Sequence, residues 1–158
     1  MVQASFTAMT TEPATEFRYY LRVRYGECDA QKVVFNARYG DYVELAVTEF
    51  FRALGYGQAL ASGDLDYQLV KQTLEWKAPA RFDEVVEARV QAIRLGTTSF
   101  TLGVEFRRAQ DGMPLARAET VYVLVEAHSL QKRALPTSLR EHLQQGVTAT
   151  TDHAGWLA

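Results

Sequence analysis

The chain has 158 residues, 47% apolar and 23% charged, with 17 Lys and Arg against 19 Asp and Glu for a formal net charge of -2. That length suits one domain that buries its own core, and the near balance of charge excludes a nucleic-acid or anionic-membrane partner chosen on charge alone. The lone cysteine, Cys28, excludes an intrachain disulfide and a cysteine-built metal site.

Residues 1–16, rich in Thr and Ala, carry neither a basic n-region nor an apolar h-region and are expected to form an N-terminal tail. No run of 18 apolar residues occurs, so no membrane insertion is expected, and a cytoplasmic location fits the single thiol. From Phe17 to Tyr25 the alternation of Leu21, Val23 and Tyr25 with Arg22 and Arg24 predicts a half-buried strand. After the segment YGECDAQKVVF, apolar residues at Tyr39, Tyr42, Val43, Ala46, Val47, Phe50, Phe51 and Leu54 recur every three or four positions. This spacing predicts an amphipathic helix, with Asn36 as its N-cap and Gly55 as its stop. A short second helix is expected through GQALASG, ending at Gly63.

Beyond it the period changes. Strands are predicted over DYQLVKQTLEWKAPARF, ended by Pro79, then over EVVEARVQAIRL, TSFTLGVEFRR and PLARAETVYVLVEA, the last two separated by a turn at Asp111-Gly112. Short Gly- or Pro-containing turns join these strands, so neighbours are expected to be antiparallel. A closing helix from Pro136 or Thr137 stops at Gly146, and residues 147–158 read as a C-terminal tail. Strand, long helix, four strands and a small helix make an α+β domain over residues 17–146, a single antiparallel sheet packed on one long helix.

Several chemistries find no support. His128, His142 and His153 stand at no metal-ligand spacing, so no metal site is expected. There is no Gly-x-Ser-x-Gly elbow and no phosphate-cradling Gly-rich loop after a strand. Cys28 sits between Glu27 and Asp29, a setting that raises a thiol pKa, and reads as a small packed side chain rather than a nucleophile. On spacing alone, Asp29 in a strand-to-helix loop is a turn or cap residue more often than a catalyst.

Three stretches carry a resemblance: RVRYGECDAQKVVFNARYGDYVELAVTEFFRALG, LEWKAPARFDEVVEARV and RLGTTSFTLGVEF. Together they are similar to the hotdog-fold acyl-CoA thioesterases of the 4-hydroxybenzoyl-CoA thioesterase family, over roughly Phe17 to Gln144. The resemblance implies a hotdog fold, an acyl-CoA substrate whose coenzyme A is not a resident cofactor, and a homodimer or tetramer with sites at the subunit interface. It makes Asp29 the catalytic carboxylate and the N-H near Asn36 an oxyanion donor. Phe35, Tyr39, Val70 and Lys71 are candidates to line the acyl and pantetheine path. Where some relatives grip nucleotide phosphates with arginines, this chain has Gly96, Thr97, Thr98 and Ser99, so contacts there fall to amides and hydroxyls. Lys32 stands where many relatives have Gly three residues after the aspartate.

Thioester hydrolysis needs a base or nucleophile at the carbonyl carbon and donors for the developing oxyanion. Asp29 and a helix start at Asn36 supply that pair, and direct attack and water activation both remain open. A non-catalytic acyl-CoA or acyl-carrier-protein binding module of the same fold is the alternative. A hydratase on this fold is disfavoured because no His precedes position 128.

Overall fold

The computed structural model describes residues 15–158. Of the expected N-terminal tail, residues 1–14 lie outside the described residues.

The described chain runs β1 (Phe17–Arg22), two 3-10 turns (Tyr25–Glu27 and Asn36–Arg38), α1 (Tyr39–Ala53) and α2 (Gly57–Ser62). It continues through β2 (Asp66–Trp76), β3 (Val85–Leu95), β4 (Ser99–Arg108), β5 (Pro114–Val125), α3 (Thr137–Gln145) and β6 (Ala149–Asp152). The strands form one sheet in the order β2-β5-β4-β3-β1-β6. The predicted helix and four following strands are therefore present, and the α+β hotdog arrangement of one sheet folded about one long helix holds.

The helical period explains the packing. Tyr39, Tyr42, Val43, Ala46, Val47, Phe50 and Phe51 fall on one face of α1 and are all buried. Alternate residues of the strands meet them: Phe17, Tyr19 and Leu21 from β1, Val86, Ala88 and Val90 from β3, and Phe100, Leu102, Val104 and Phe106 from β4. Each large apolar side chain so buried contributes about 1.5–3 kcal/mol through the hydrophobic effect. Aromatic contacts order the contact layer, with Tyr39 and Phe106 ring centroids 5.5 Å apart and Phe51 stacked on Tyr67 at 5.3 Å.

Three expectations change in the folded chain. Antiparallel hairpins join β3 to β4 and β4 to β5, but β2 pairs with β5 rather than β3. Residues 77–84, which contain Pro79, cross between the two sides of the sheet instead of turning back. Residues 147–158 are not a loose tail: β6 pairs in parallel with β1, and the Asp152 carboxylate accepts the N-H groups of Ala154, Trp156 and Leu157. The sheet is thus antiparallel except at that edge. Finally, β1 ends at Arg22, because the chain turns into the 3-10 segment before Tyr25 can continue the ladder.

Candidate active site

The segment between β1 and α1 folds into a small hairpin. Cys28 and Val34 pair across it, Asp29 N-H donates to Val33 O at 2.9 Å, and Lys32 N-H donates to Asp29 O at 2.9 Å. That pattern is a three-residue loop whose last position needs a left-handed backbone. Lys32 occupies it with φ 61°. A non-Gly residue pays for that conformation in steric strain, which gives the Gly-to-Lys departure at this position a physical content. Asp29 is exposed, and one of its carboxylate oxygens accepts the Gln31 N-H at 2.8 Å.

The hairpin is fixed from the side by the β2–β3 crossover. Val34 N-H donates to Ala80 O at 2.8 Å, Phe82 N-H donates to Lys32 O at 3.0 Å, and Val33 bridges Arg81. Pro79-Ala80-Arg81-Phe82-Asp83 is therefore less a turn between paired strands than the brace of the Asp29 hairpin. Hairpin, crossover and helix start enclose a cleft of about 280 Å³ lined by Val33, Val34, Asn36, Tyr39 and residues 76–79. Asp29 is not among the lining residues; its main chain is joined by one hydrogen bond to Val33, which is.

Asn36 is not the N-cap of the α-helix. It opens a 3-10 turn, Phe35 is the extended residue before it, and no side chain caps either start. The tighter turn forms because Arg38 N-H reaches Phe35 O at 2.8 Å. Among the described residues the Asn36 N-H has no acceptor, so it retains the free donor that a helix start offers.

Tyr39 is buried against Tyr42 and Phe106, and its hydroxyl has no hydrogen-bond partner among the described residues. Burial pushes this phenol up to about 12. Phe35 is exposed beside the cleft, its N-H held by Glu27 O at 3.0 Å. Val70 and Lys71 lie on β2, with Val70 at a bulge and exposed. They sit about 20 Å along the strand from Trp76 at the cleft.

The structure does not bring Gly96, Thr97, Thr98 and Ser99 to this place. Their turn lies at the other end of β3, an 11-residue strand spanning about 35 Å. Its carbonyls and the Gly96 N-H are engaged: Gly96 N-H bonds Ser99 O, Thr97 O and Thr98 O accept from Leu135 and Leu124, and Arg140 holds Gly96 O at 2.7 Å. A Cβ at Gly96 would stand 2.5 Å from Ser99 Oγ, so a larger residue there would make the Ser99 side chain turn away.

Two groups of residues escaped the sequence reading. Trp76, Lys77 and Ala78 line the cleft only because β2 ends there, which no spacing announces. Glu27 is buried: its carboxylate accepts Arg24 N-H at 2.8 Å, the Arg24 guanidinium at 2.9 Å and the Tyr42 hydroxyl at 2.9 Å. Burial pushes this carboxyl up, but the Arg24 and Tyr42 hydrogen bonds outweigh it and hold the group below its ordinary value. Cys28 follows expectation, its thiol pushed up by burial and by the charges of Glu27 and Asp29. Among the described residues no three His, Cys, Asp or Glu side chains gather as a metal-ligand set, and no helix is long and apolar enough to cross a membrane.

Comparison with known proteins adds a further finding. The sequence profile of the thioesterase-like superfamily matches residues 23–143. The acyl-CoA thioester hydrolase YbgC of Escherichia coli O6:H1 is 33% identical over 132 residues, covering 83% of this chain and 98% of the relative. A 1,4-dihydroxy-2-naphthoyl-CoA hydrolase of Synechococcus elongatus is 26% identical over 132 residues, covering 82% and 96%. Among solved structures, a gentisyl-coenzyme A thioesterase superposes with a TM-score of 0.70 at 26% identity, over 80% of this chain and 98% of its own.

Proposed function

The chain belongs to the thioesterase-like superfamily, and from that premise we propose that it hydrolyses acyl-CoA thioesters to a free acid and coenzyme A. The relatives named above are hydrolases of CoA thioesters, which supports both the reaction and the CoA ester as substrate class. The observation that carries the residue assignment is the placement of an exposed carboxylate, Asp29, and an unpaired N-H, at Asn36, on one hairpin-and-turn unit beside a cleft.

In the reaction, either Asp29 attacks the carbonyl carbon directly, or it takes a proton from a water whose oxygen attacks. In both cases the C–S bond breaks and CoA leaves as thiolate and takes up a proton; after direct attack, water then cleaves the mixed anhydride to release the acid and restore Asp29. In both, the carbonyl oxygen becomes an oxyanion facing the Asn36 N-H and the positive end of the helix start. Tyr39, which lines the cleft, and Phe35, exposed next to the Asn36 turn, are the side chains assigned to the acyl group in this reading.

The active unit is a dimer or tetramer. The opposite sheet edge, beyond β1, is covered by β6, while β2 presents an 11-residue edge with Leu69, Val70 and Trp76 exposed. An unpaired apolar edge of this length favours association. Pairing there would place the partner beside the cleft at Trp76, and would let Val70 and Lys71, or the partner's Gly96 turn, approach a CoA arm.

Thiol release measured over short, long and aromatic acyl-CoAs tests the proposal. Release well above the uncatalysed rate for at least one ester is expected. CoA-ester binding with no release from any of them would replace this reading with that of a binding module.

A further inference from the structure

Two residues before Asp29 lies a buried carboxylate that the mechanism above leaves unused. Glu27 has a side chain only 8% exposed, in a segment otherwise open to solvent. Both of its carboxylate oxygens are spent: one accepts Arg24 N-H and Tyr42 O-H, the other the two Arg24 guanidinium donors at 2.9 and 3.2 Å. Four donors on two oxygens leave little room for substrate or attacking water, so Glu27 is not a second reacting acid. Its main chain is equally committed, with Glu27 N-H donating to Arg24 O and Glu27 O accepting Phe35 N-H.

These bonds join three separate pieces. Arg24 continues from β1, Tyr42 belongs to α1 with its ring 5.6 Å from Tyr39, and Phe35 is the residue before the Asn36 turn. Asp29 and the Asn36 N-H lie on opposite sides of the Cys28–Val34 pair, and Glu27 is the side chain that ties the base of their hairpin to the helix. A buried charge that lost these partners would be costly, and a small displacement of a catalytic carboxylate lowers rate steeply.

We propose that Glu27 is a positioning residue for the thioesterase reaction, a buried carboxylate clamp that holds the Asp29 hairpin and the Asn36 turn in register on α1 through Tyr42 and Arg24. The inference rests on the thioesterase reading for its kinetic consequence, but its structural core is independent of turnover.

The test uses Glu27→Gln and Tyr42→Phe in the full chain, with thiol-release kinetics and amide hydrogen exchange read side by side. Expected are a fall in kcat of at least 10-fold with KM within 3-fold of wild type, and exchange at least 10-fold faster at Val34 and Phe35 while the β3 and β4 amides keep their protection. In the double variant the kcat loss is expected to be no larger than in the worse single variant, since both cut one clamp. If Glu27→Gln fails to fold, Tyr42→Phe, which keeps the Arg24 contacts, decides. Wild-type kcat in a folded Tyr42→Phe and Glu27→Gln overturns the proposal, as does unchanged exchange at Val34 and Phe35. An inactive wild type would sink the thioesterase reading instead, and the clamp would then stand or fall on exchange alone.

Discussion

Phe82 donates its backbone N-H to the carbonyl of Lys32 at 3.0 Å, so two segments fifty residues apart are stitched together at the tip of the Asp29 hairpin. The exposure of Asp29 is therefore not looseness. Its carboxylate stands on a loop whose other face is bonded to the β2–β3 crossover, which offers a polar group to solvent or substrate while the backbone beneath it stays ordered.

Asp29→Asn keeps an acceptor for the Gln31 N-H but removes the negative charge. Turnover is expected to fall at least about 100-fold, the range attributed to a lost acid–base group, while stability changes by no more than about 0.5 kcal/mol because the site is exposed. Thiol release and urea unfolding of the same preparation check both. Near wild-type rates in a folded variant would remove Asp29 from the chemistry.

Lys32→Gly should stabilise the fold. A left-handed backbone costs an L-residue about 1–2 kcal/mol, and the extra chain entropy of glycine returns up to about 1 kcal/mol of that. The expected net gain is about 0.5 kcal/mol, visible as a higher urea midpoint at unchanged m. A lower midpoint would mean that the lysine side chain makes a contact worth more than its strain.

Acid should weaken the protein through its buried carboxylates. Burial pushes Glu87 up, but hydrogen bonds from the Tyr20 hydroxyl, at 2.7 Å, and Arg89 hold it below the ordinary 4.5. A carboxyl depressed in the folded state contributes stability that is complete above its unfolded value and is lost as pH falls through the folded one. Glu27 has the same sign. Stability is thus expected to decline as pH drops below about 4.5, and Glu87→Gln to flatten that decline while costing about 1–2 kcal/mol at pH 7. An acid limb of undiminished slope in the variant would assign the loss to other groups.

Charges placed on the open edge of β2 should separate subunits. Leu69→Asp combined with Val70→Asp is expected to shift the protein to monomer in analytical ultracentrifugation and to lower turnover with it, because like charges then oppose across a paired edge. An unchanged oligomer would move the interface elsewhere.

Much of the fold was legible in the residues. The three-four spacing from Tyr39 to Phe51 gave the helix and its buried face, and the alternation from Phe100 to Phe106 gave a strand and its inward side, because both periods are set by backbone geometry within one element. Asn36 was misread as a cap for a local reason: its side chain suits the role, but the hydrogen bond from Arg38 to Phe35 tightened the first turn. β6 was missed because Ala149-Thr150-Thr151-Asp152 has no apolar alternation and is a strand only through β1.

By itself, then, the sequence determined the long helix and the strands β1 to β5, the buried side of that helix, and that an acid lies before it, since these depend on neighbours a few residues away. Only the tertiary structure decided that β2 and β3 lie apart, that their connection braces the Asp29 hairpin, that Glu27 is buried under Tyr42, and that the Gly96 turn stands at the far end of the sheet. Those facts arise from contacts between distant segments, where burial and hydrogen bonding act through space and leave no period in the chain.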